Sequence, residues 1–207
     1  MIPAIFIASI LLIGALIPTT LSLFPGQLLN QVLADTVTGT DGDDNLEGSD
    51  NDDDIEGKGG DDRIDSKGGN ERNTGDNFNG DGDGGDDVIN SGDGNDLNIG
   101  DNINGDGDGG DDVINSGTGD DTNIGDNFFG GGDGGNDVIK SGKGNDVNFG
   151  DNFDGDGDGG DDKINAGQGD DELTGGGGAD KFKCGSGDDT VTDFNEAEGD
   201  KATGNCE

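Results

Sequence analysis

One apolar side chain recurs about every nine residues through most of this chain, and glycine and polar residues fill the positions between. Residues 39–192 divide into nonapeptides, such as GKGGDDRID, AGQGDDELT and CGSGDDTVT, and four short inserts. In a typical unit glycines stand early, an acid stands at position six and an aliphatic or aromatic residue at position eight. Glycine permits a tight turn, and a single inward-pointing apolar residue suits a very short strand. Each nonapeptide therefore predicts one turn and one strand, and two nonapeptides predict one coil of a parallel β-solenoid.

The middle of the chain carries a longer repeat of 25 residues, which reads GDNFNGDGDGGDDVINSGDGNDLNI in its first copy. The four copies start at Gly75, Gly100, Gly125 and Gly150. Each copy contains a seven-residue insert and two nonapeptides, so residues 75–174 predict four coils. Two plain coils precede these copies and one follows them. We therefore predict an all-β fold, a parallel β-roll of about seven coils within residues 35–192.

Apolar residues of the 25-residue copies fall into columns. The first column stands at position eight of one nonapeptide: Ile89, Ile114, Ile139 and Ile164. In the other nonapeptide the column shifts by one place, because Asn98, Asn123 and Asn148 hold position eight. The apolar residues that follow them are Ile99, Ile124 and Phe149. The inserts add Phe78, Ile103, Phe128 and Phe153. We expect these residues to stack as ladders between coils, since stacked repeats bury what one repeat cannot; the alternative is that each insert is a solvent-exposed loop.

Asparagines of the inserts also recur in register. They are Asn77, Asn102, Asn127 and Asn152. Stacked amides can hydrogen-bond along the axis of a coil. A flat comb that recognises ice or mineral is the alternative, but the chain shows no matching array of threonines, which favours the structural interpretation.

The C-terminal end differs from the repeats. Residues 193–207 form a tail, and Thr190-Val191-Thr192 with Phe194 predict a last strand that covers the open end of the roll. Cys184 and Cys206 are the only cysteines. In an exported protein such a pair indicates a disulfide, and two independent thiols are the alternative. No zinc-ligand spacing is present.

The first 34 residues contain no charged side chain. Ile5–Leu16 is almost continuously apolar and predicts a helix. Small or aliphatic residues before Asp35 suit cleavage of a signal peptide after Ala34, although a basic N-terminal region is lacking. Residues 3–24 are also long enough to remain as a membrane anchor. Either interpretation places the acidic part of the chain outside the cytoplasm, and membrane contact is expected only through residues 1–34, if they are not cleaved.

The charge of the chain indicates that it needs cations to fold. It carries 49 acidic residues, 10 basic residues and no histidine, for a net charge of −39. Self-repulsion and low hydrophobicity would keep such a chain disordered without a ligand. Bound divalent cations neutralise carboxylates, and their binding free energy becomes folding free energy. Calcium, which prefers carboxylate and carbonyl oxygens, suits a glycine–aspartate turn. Nucleic acid is excluded as a partner, because its phosphates need lysine and arginine.

The sequence argues against catalysis. Residues 35–207 contain no His, Tyr or Trp, and the recurring Ser91, Ser116 and Ser141 have no base beside them, so a turn role is expected for them. Two carboxylates could in principle act as acid and base in sugar hydrolysis. A row of solvated, cation-bridged carboxylates without an aromatic sugar platform does not suit that reaction. We therefore predict that the chain is not an enzyme.

The units resemble the RTX, or haemolysin-type, calcium-binding repeats of secreted bacterial proteins. The stretch GQGDDELTGGGGADKFKCGSGDDTVTDFNEAEGDK resembles the closing repeats and tail of that family. The resemblance implies a right-handed parallel β-roll that holds several calcium ions between successive coils. It places the family's ligand aspartate at Asp44, Asp53, Asp62, Asp87, Asp96, Asp112, Asp121, Asp137, Asp146, Asp162, Asp171, Asp180 and Asp189. Carbonyl groups of the glycine turns supply the remaining ligands.

Several features depart from the family pattern. Glu71 replaces the ligand aspartate of its unit, Asn73 replaces the apolar residue, and the seven-residue inserts are not part of the standard repeat. Family members usually leave the cell by a type I exporter that uses a C-terminal signal. The apolar N-terminus of this chain suggests the general secretory route instead.

Two functions fit these features. The first is a calcium-folded structural module of a secreted or cell-surface protein, associated with the cell envelope or an extracellular surface. The second is an adhesin, or a protein that binds a mineral or ice surface, through rows of acidic and asparagine side chains. Acids that recur outside the ligand position permit such a surface comb, and an ordinary solvated face explains them equally well. They are Asp76, Asp101, Asp126 and Asp151.

Overall fold

The computed structural model of the chain describes residues 35–76, 82–102, 104, 107–127, 129, 131–151 and 157–207. These residues form sixteen short strands and no helix. The predicted apolar helix in residues 1–34 lies outside the described residues, as do Phe78, Ile103, Phe128 and Phe153 of the inserts. In the described part of the chain, no helix is long and apolar enough to span a membrane.

The strands alternate between two parallel sheets of eight strands each. The first sheet contains β1 (Asp35–Thr38), β3 (Asp53–Lys58), β5 (Arg72–Asp76), β7 (Leu97–Ile99), β9 (Thr122–Ile124), β11 (Val147–Phe149), β13 (Glu172–Thr174) and β15 (Thr190–Val191). The second sheet contains β2 (Asn45–Glu47), β4 (Arg63–Asp65), β6 (Val88–Asp93), β8 (Val113–Thr118), β10 (Val138–Lys143), β12 (Lys163–Gln168), β14 (Lys181–Ser186) and β16 (Lys201–Thr203). Each strand pairs with the strand one coil away in its own sheet, and this is the layout of a β-roll.

The roll has one more coil than predicted, eight rather than about seven. β1 precedes the first glycine unit, and its Val37 pairs with Ile55 of β3. β16 lies in the tail, where Ala202 pairs with Phe182 of β14. Neither strand lies within a nonapeptide unit, although Gly199 and Asp200 stand immediately before β16.

The interior is a ladder of isoleucines on the second sheet. Ile114 pairs in register with Ile89 on one side and with Ile139 on the other, and Ile164 continues the column. All four side chains are buried, which confirms the predicted column. The inserts therefore change the length of a coil from 18 to 25 residues without disturbing the register of these strands.

A column of asparagines faces the isoleucines from the first sheet. The side chains of Asn73, Asn98, Asn123 and Asn148 are completely buried. The Asn98 Nδ2 donates a hydrogen bond to the Asn123 Oδ1 at 3.0 Å, and the Asn123 Nδ2 repeats this contact with Asn148. Asn73, which departs from the family pattern, is the first member of this ladder, since its Nδ2 donates to the Asn98 Oδ1 at 2.9 Å.

The recurring serines donate hydrogen bonds to the amide oxygens of the asparagine ladder. The Ser116 Oγ donates a hydrogen bond to the Asn123 Oδ1 at 2.7 Å, and Ser66, Ser91 and Ser141 make the same contact in their coils. In the next coil Leu173 replaces the asparagine, and Ala166 replaces the serine. The serine hydroxyl is thus present only where a buried asparagine oxygen can accept its hydrogen bond. This role is more specific than the turn role that the sequence predicts.

Ile99 and Ile124 form a second, smaller buried cluster, with Leu97 and Phe149 packed against it. These residues alternate with the asparagines along β7, β9 and β11, so they lie on the opposite face of the first sheet. Ile99, Ile124 and Phe149 pair in register and stack as predicted.

The last coil is fixed covalently. Cys184 of β14 and Cys206 form a disulfide with a Cα–Cα distance of 5.5 Å, which confirms the predicted bridge. Cys184 is completely buried and belongs to the main hydrophobic core. The bridge therefore ties the tail to the interior of the roll.

Replacing both Cys184 and Cys206 by alanine should destabilise the last coil by about 3 kcal/mol, because the bridge closes a loop of 22 residues in the unfolded chain. Denaturant unfolding of the calcium-loaded full chain measures this loss. Reduction should destabilise the wild-type protein and leave the alanine variant unchanged. Alkylation of both thiols in the unreduced native protein would show that the bridge does not form.

Candidate metal sites

Two rows of acidic side chains run along the roll, one at each line of turns. Row 1 stands immediately before the strands of the second sheet: Asp44, Asp62, Asp87, Asp112, Asp137, Asp162, Asp180 and Asp200. Row 2 stands immediately before or at the start of strands of the first sheet: Asp53, Glu71, Asp96, Asp121, Asp146, Asp171 and Asp189. The thirteen aspartates that the sequence predicts as ligands all lie in these two rows.

Hydrogen bonds from the backbone orient most of these carboxylates. The Asp87 N–H donates to the Asp112 Oδ1 at 2.6 Å, and the Asp112 N–H donates to the Asp137 Oδ1 at 2.7 Å. In row 2 the Asp96 N–H donates to the Asp121 Oδ1 at 2.9 Å. Except in Asp44 and Glu71, each carboxylate thus uses one oxygen to hold the preceding coil. In row 1, from Asp62 to Asp180, the other oxygen lies beside a turn glycine.

The second carboxylate oxygen is buried without a hydrogen-bond donor in eleven of the thirteen predicted ligands. These are Asp62, Asp87, Asp96, Asp112, Asp121, Asp137, Asp146, Asp162, Asp171, Asp180 and Asp189. A buried carboxylate oxygen without a donor is costly, and an ionised one requires a cation. The repetition of this feature in successive coils indicates sites built for cations.

Glycine carbonyls stand beside these oxygens in row 1. A Cβ added to Gly100 would collide with both the Asp112 Oδ2 and the carbonyl oxygen of Gly125. The two oxygens are both acceptors, so they repel each other unless a cation lies between them. Gly75 and Gly125 border the same arrangement in their own coils. Only glycine leaves this space open.

The donor set suits calcium. Calcium takes six to eight oxygens from carboxylates, backbone carbonyls and water. No three acidic or cysteine side chains converge on one point in the described part of the chain. The oxygens that lie beside each other in row 1 come from carboxylates and glycine carbonyls, and zinc, which prefers nitrogen and sulfur ligands, fits such a donor set poorly.

The first coil differs from the others. The Asp44 Oδ2 accepts hydrogen bonds from the Thr40 N–H at 2.6 Å and the Thr40 hydroxyl at 2.8 Å. The Asp53 Oδ2 accepts one from the Ser49 N–H at 2.6 Å. These two predicted ligands already have donors for the oxygen that is orphaned elsewhere. A ligand role for them stays a prediction.

Sequence reasoning missed two members of the rows. Glu71 is buried, both of its carboxylate oxygens lack donors, and its N–H donates to the Asp96 Oδ1. Asp200 lies in the tail and accepts a hydrogen bond from the Asp180 N–H at 3.0 Å. Glu71 could have been included from its position in the nonapeptide, whereas Asp200 follows Asp180 after 20 residues and fits neither repeat length.

Burial strongly perturbs the pKa values of these carboxyls. Burial raises the pKa of Asp87 to about 9, and burial with the neighbouring Asp151 carboxylate raises the pKa of Asp162 to about 9. The pKa values of Asp112 and Asp137 are also raised well above the usual value, by burial first and by neighbouring carboxylates second. Without cations the roll therefore holds these groups in an environment that opposes their ionisation.

A third row of acids lies beside row 1, and both interpretations that the sequence left open for it, a surface comb and a solvated face, are wrong. Asp76, Asp101, Asp126 and Asp151 are all buried. The sequence pattern places them outside the ligand position, at the second residue of each seven-residue insert. In the described inserts Asn102 and Asn127 are buried too, and the Asn102 N–H donates to the Asn127 Oδ1 at 3.1 Å.

The parallel roll and its rows of orphaned carboxylates define a calcium-binding repeat protein. A family model described as the RTX calcium-binding nonapeptide repeat matches the chain in four copies, at residues 33–70, 81–97, 123–154 and 156–191. The chain belongs to this family, which confirms the resemblance found in the sequence. No curated protein and no solved structure matches the chain. RTX repeats form a calcium-binding structural module rather than an enzyme family.

Proposed function

We propose that this protein is a calcium-folded structural module of a secreted or cell-surface protein. The observation that carries the proposal is the series of buried carboxylate oxygens without donors in rows 1 and 2. A chain with a net charge of −39 cannot keep these groups ionised in its interior unless cations neutralise them. Calcium binding and folding are therefore one process.

Two further features support a location outside the cytoplasm. The Cys184–Cys206 disulfide suits an oxidising compartment. Extracellular calcium modules bind with dissociation constants of about 10⁻⁴ to 10⁻³ M, and the calcium concentration of the cytosol is too low to fill such sites. The chain would remain unfolded inside the cell and fold after export.

Adhesion to a calcium-bearing surface is the second candidate function. Exposed aspartates recur once per coil in the 25-residue copies, at Asp83, Asp108, Asp133 and Asp158. The Asp133 N–H donates to the Asp108 Oδ1 at 3.1 Å, and the Asp158 N–H donates to the Asp133 Oδ1 at 3.0 Å. These contacts hold the exposed carboxylates in a regular line, which could bind a surface through shared calcium.

Calcium titration of the full chain tests the first function. Far-ultraviolet circular dichroism should change cooperatively from a disordered spectrum in chelator to a strand-rich spectrum as calcium rises to about 10 mM, a range that spans extracellular sites. Magnesium is the matched control and should not produce the change, because it prefers octahedral geometry and retains its water. A strand-rich spectrum in chelator would refute folding by calcium and would leave surface binding as the leading function.

A further inference from the structure

The seven-residue inserts reorient one residue in each 25-residue coil. The backbone pairs Asp76 with Lys58 of the preceding plain coil. Lys58 has a φ of 95°, and Gly176, which follows the last 25-residue copy, has a φ of 98°. Asp76, Asp101, Asp126 and Asp151 have no such left-handed conformation. The inserts thus replace a left-handed turn residue with an aspartate whose side chain is buried.

Successive carboxyls of this third row face each other across glycines. A Cβ added to Gly134 would collide with the Asp126 Oδ2 and the Asp151 Oδ1. A Cβ on Gly109 would meet the Asp126 Oδ1 and the Asp101 Oδ2 in the same way. Gly84 borders Asp101 and Asp76 likewise, so a space flanked by two carboxyls lies in each of the three intervals between the four coils.

The local hydrogen bonds do not neutralise these carboxyls. Asp126 accepts the Gly135 N–H at 2.9 Å, and Asp76 accepts the Gly85 N–H at 2.9 Å. The Asp126 Oδ2, which faces Asp151 across Gly134, and the Asp76 Oδ1 are buried and have no donor. The two oxygens of Asp101 share the Gly110 N–H, and those of Asp151 accept the N–H groups of Gly160 and Gly177. One amide donor does not compensate for burying a carboxylate. The orphaned oxygens of Asp76 and Asp126 therefore favour a cation as their partner.

We propose that the third row holds a second line of calcium ions beside row 1, with one ion in each of the three intervals between Asp76, Asp101, Asp126 and Asp151. Two carboxylates from successive coils supply the charged ligands, and carbonyl oxygens or water complete the coordination shell. The inference rests on the proposed calcium-dependent function and extends it to residues outside the nonapeptide pattern. The inserts are then additional metal-binding elements, and a 25-residue coil binds more calcium than a plain coil.

Burial and the adjacent Asp126 carboxylate raise the pKa of Asp101 well above its usual value. Neighbouring carboxyls could relieve the same repulsion by sharing protons instead of binding a metal. The two explanations predict different effects when these aspartates are replaced by asparagine. An amide supplies hydrogen-bond donors to a proton-sharing ladder, but it removes charged ligands from calcium sites.

The test uses the full chain with Asp101→Asn and Asp126→Asn combined, and equilibrium dialysis measures bound calcium per chain. The variant should lose the ions of all three intervals, because each interval contains at least one of the two replaced residues. The control combines Asp93→Asn and Asp120→Asn, two exposed residues of neighbouring coils that belong to none of the three rows, and should bind as much calcium as the wild type. Equal calcium counts in the two variants and the wild type would overturn the third-row sites.

This design separates the inference from the proposed function. If the wild-type chain takes up no calcium, the proposed function fails. If the wild type binds calcium and the Asp101→Asn, Asp126→Asn variant binds equally, only the third row fails. Anomalous diffraction from calcium-soaked wild-type crystals gives a second answer that does not depend on the folding of a variant. Peaks between successive third-row carboxyls are expected, and peaks confined to rows 1 and 2 would refute the proposal.

Discussion

Replacing Asp112 and Asp137 together by alanine should raise the calcium concentration needed for folding by about tenfold or more, equivalent to about 1.4 kcal/mol. The two residues are adjacent members of row 1. Hydrogen bonds link Asp87 to Asp112, Asp112 to Asp137 and Asp137 to Asp162, so the two residues contribute to three consecutive contacts between coils. The substitutions remove two oxygens that lack donors, and they also remove the Oδ1 acceptors of the Asp87 and Asp112 N–H groups. Bound calcium should fall, and the middle coils should lose order first. Calcium titration by circular dichroism and equilibrium dialysis measure the two effects.

A matched variant isolates the role of the orphaned oxygen. Asp108→Ala with Asp133→Ala removes the same charge from the same coils, and each of these residues also accepts a backbone N–H from a neighbouring coil. Both are exposed, so this variant should change the calcium midpoint much less. Equal midpoint shifts in the two variants would mean that Asp112 and Asp137 act through general charge or backbone contacts and are not ligands.

The regular parts of the fold could be predicted from the sequence because a solenoid repeats its contacts. The period of 25 residues alone places Ile89, Ile114 and Ile139 in one buried column. The same period brings the row 1 aspartates together, since parallel strands in register align equivalent positions. Two cysteines at the last coil sufficed to predict the bridge.

The interior asparagines and the third row could not be predicted, because both depend on local backbone direction. From the sequence, an asparagine at position eight indicates only that the apolar column shifts by one place; in the structure Ser116 and Asn148 satisfy the buried Asn123 amide. Asp101 follows a turn glycine just as Lys58 does. The sequence does not reveal that one residue has a positive φ and the other does not. Burial of a charged residue is expected only when a partner is known, and here the proposed partner is a metal ion.

In the absence of calcium, the protein should become more structured as the pH falls from about 9 to about 5, a range that lies between the raised and the ordinary carboxyl pKa values. Burial raises the pKa to about 9 in Asp87 and about 7 in Asp121 and Asp180. In the unfolded chain these groups have pKa values near 3.9. At intermediate pH the folded state therefore binds more protons than the unfolded state. Linkage then requires that stability falls as the pH rises, up to about pH 7 through Asp121 and Asp180 and up to about pH 9 through Asp87.

Calcium should reverse the sign of this dependence. In the loaded protein the carboxylates are held ionised by the metal, so protons compete with calcium and stability falls as the pH falls. Circular dichroism of the full chain between about pH 9 and pH 5, in chelator and in about 10 mM calcium, distinguishes the two slopes. Opposite slopes are expected, because protons and calcium neutralise the same buried oxygens of Asp87, Asp121 and Asp180. If stability in chelator rose with pH, these carboxylates would have to be stabilised as anions without a metal, and calcium could not be the cation for which the rows are built.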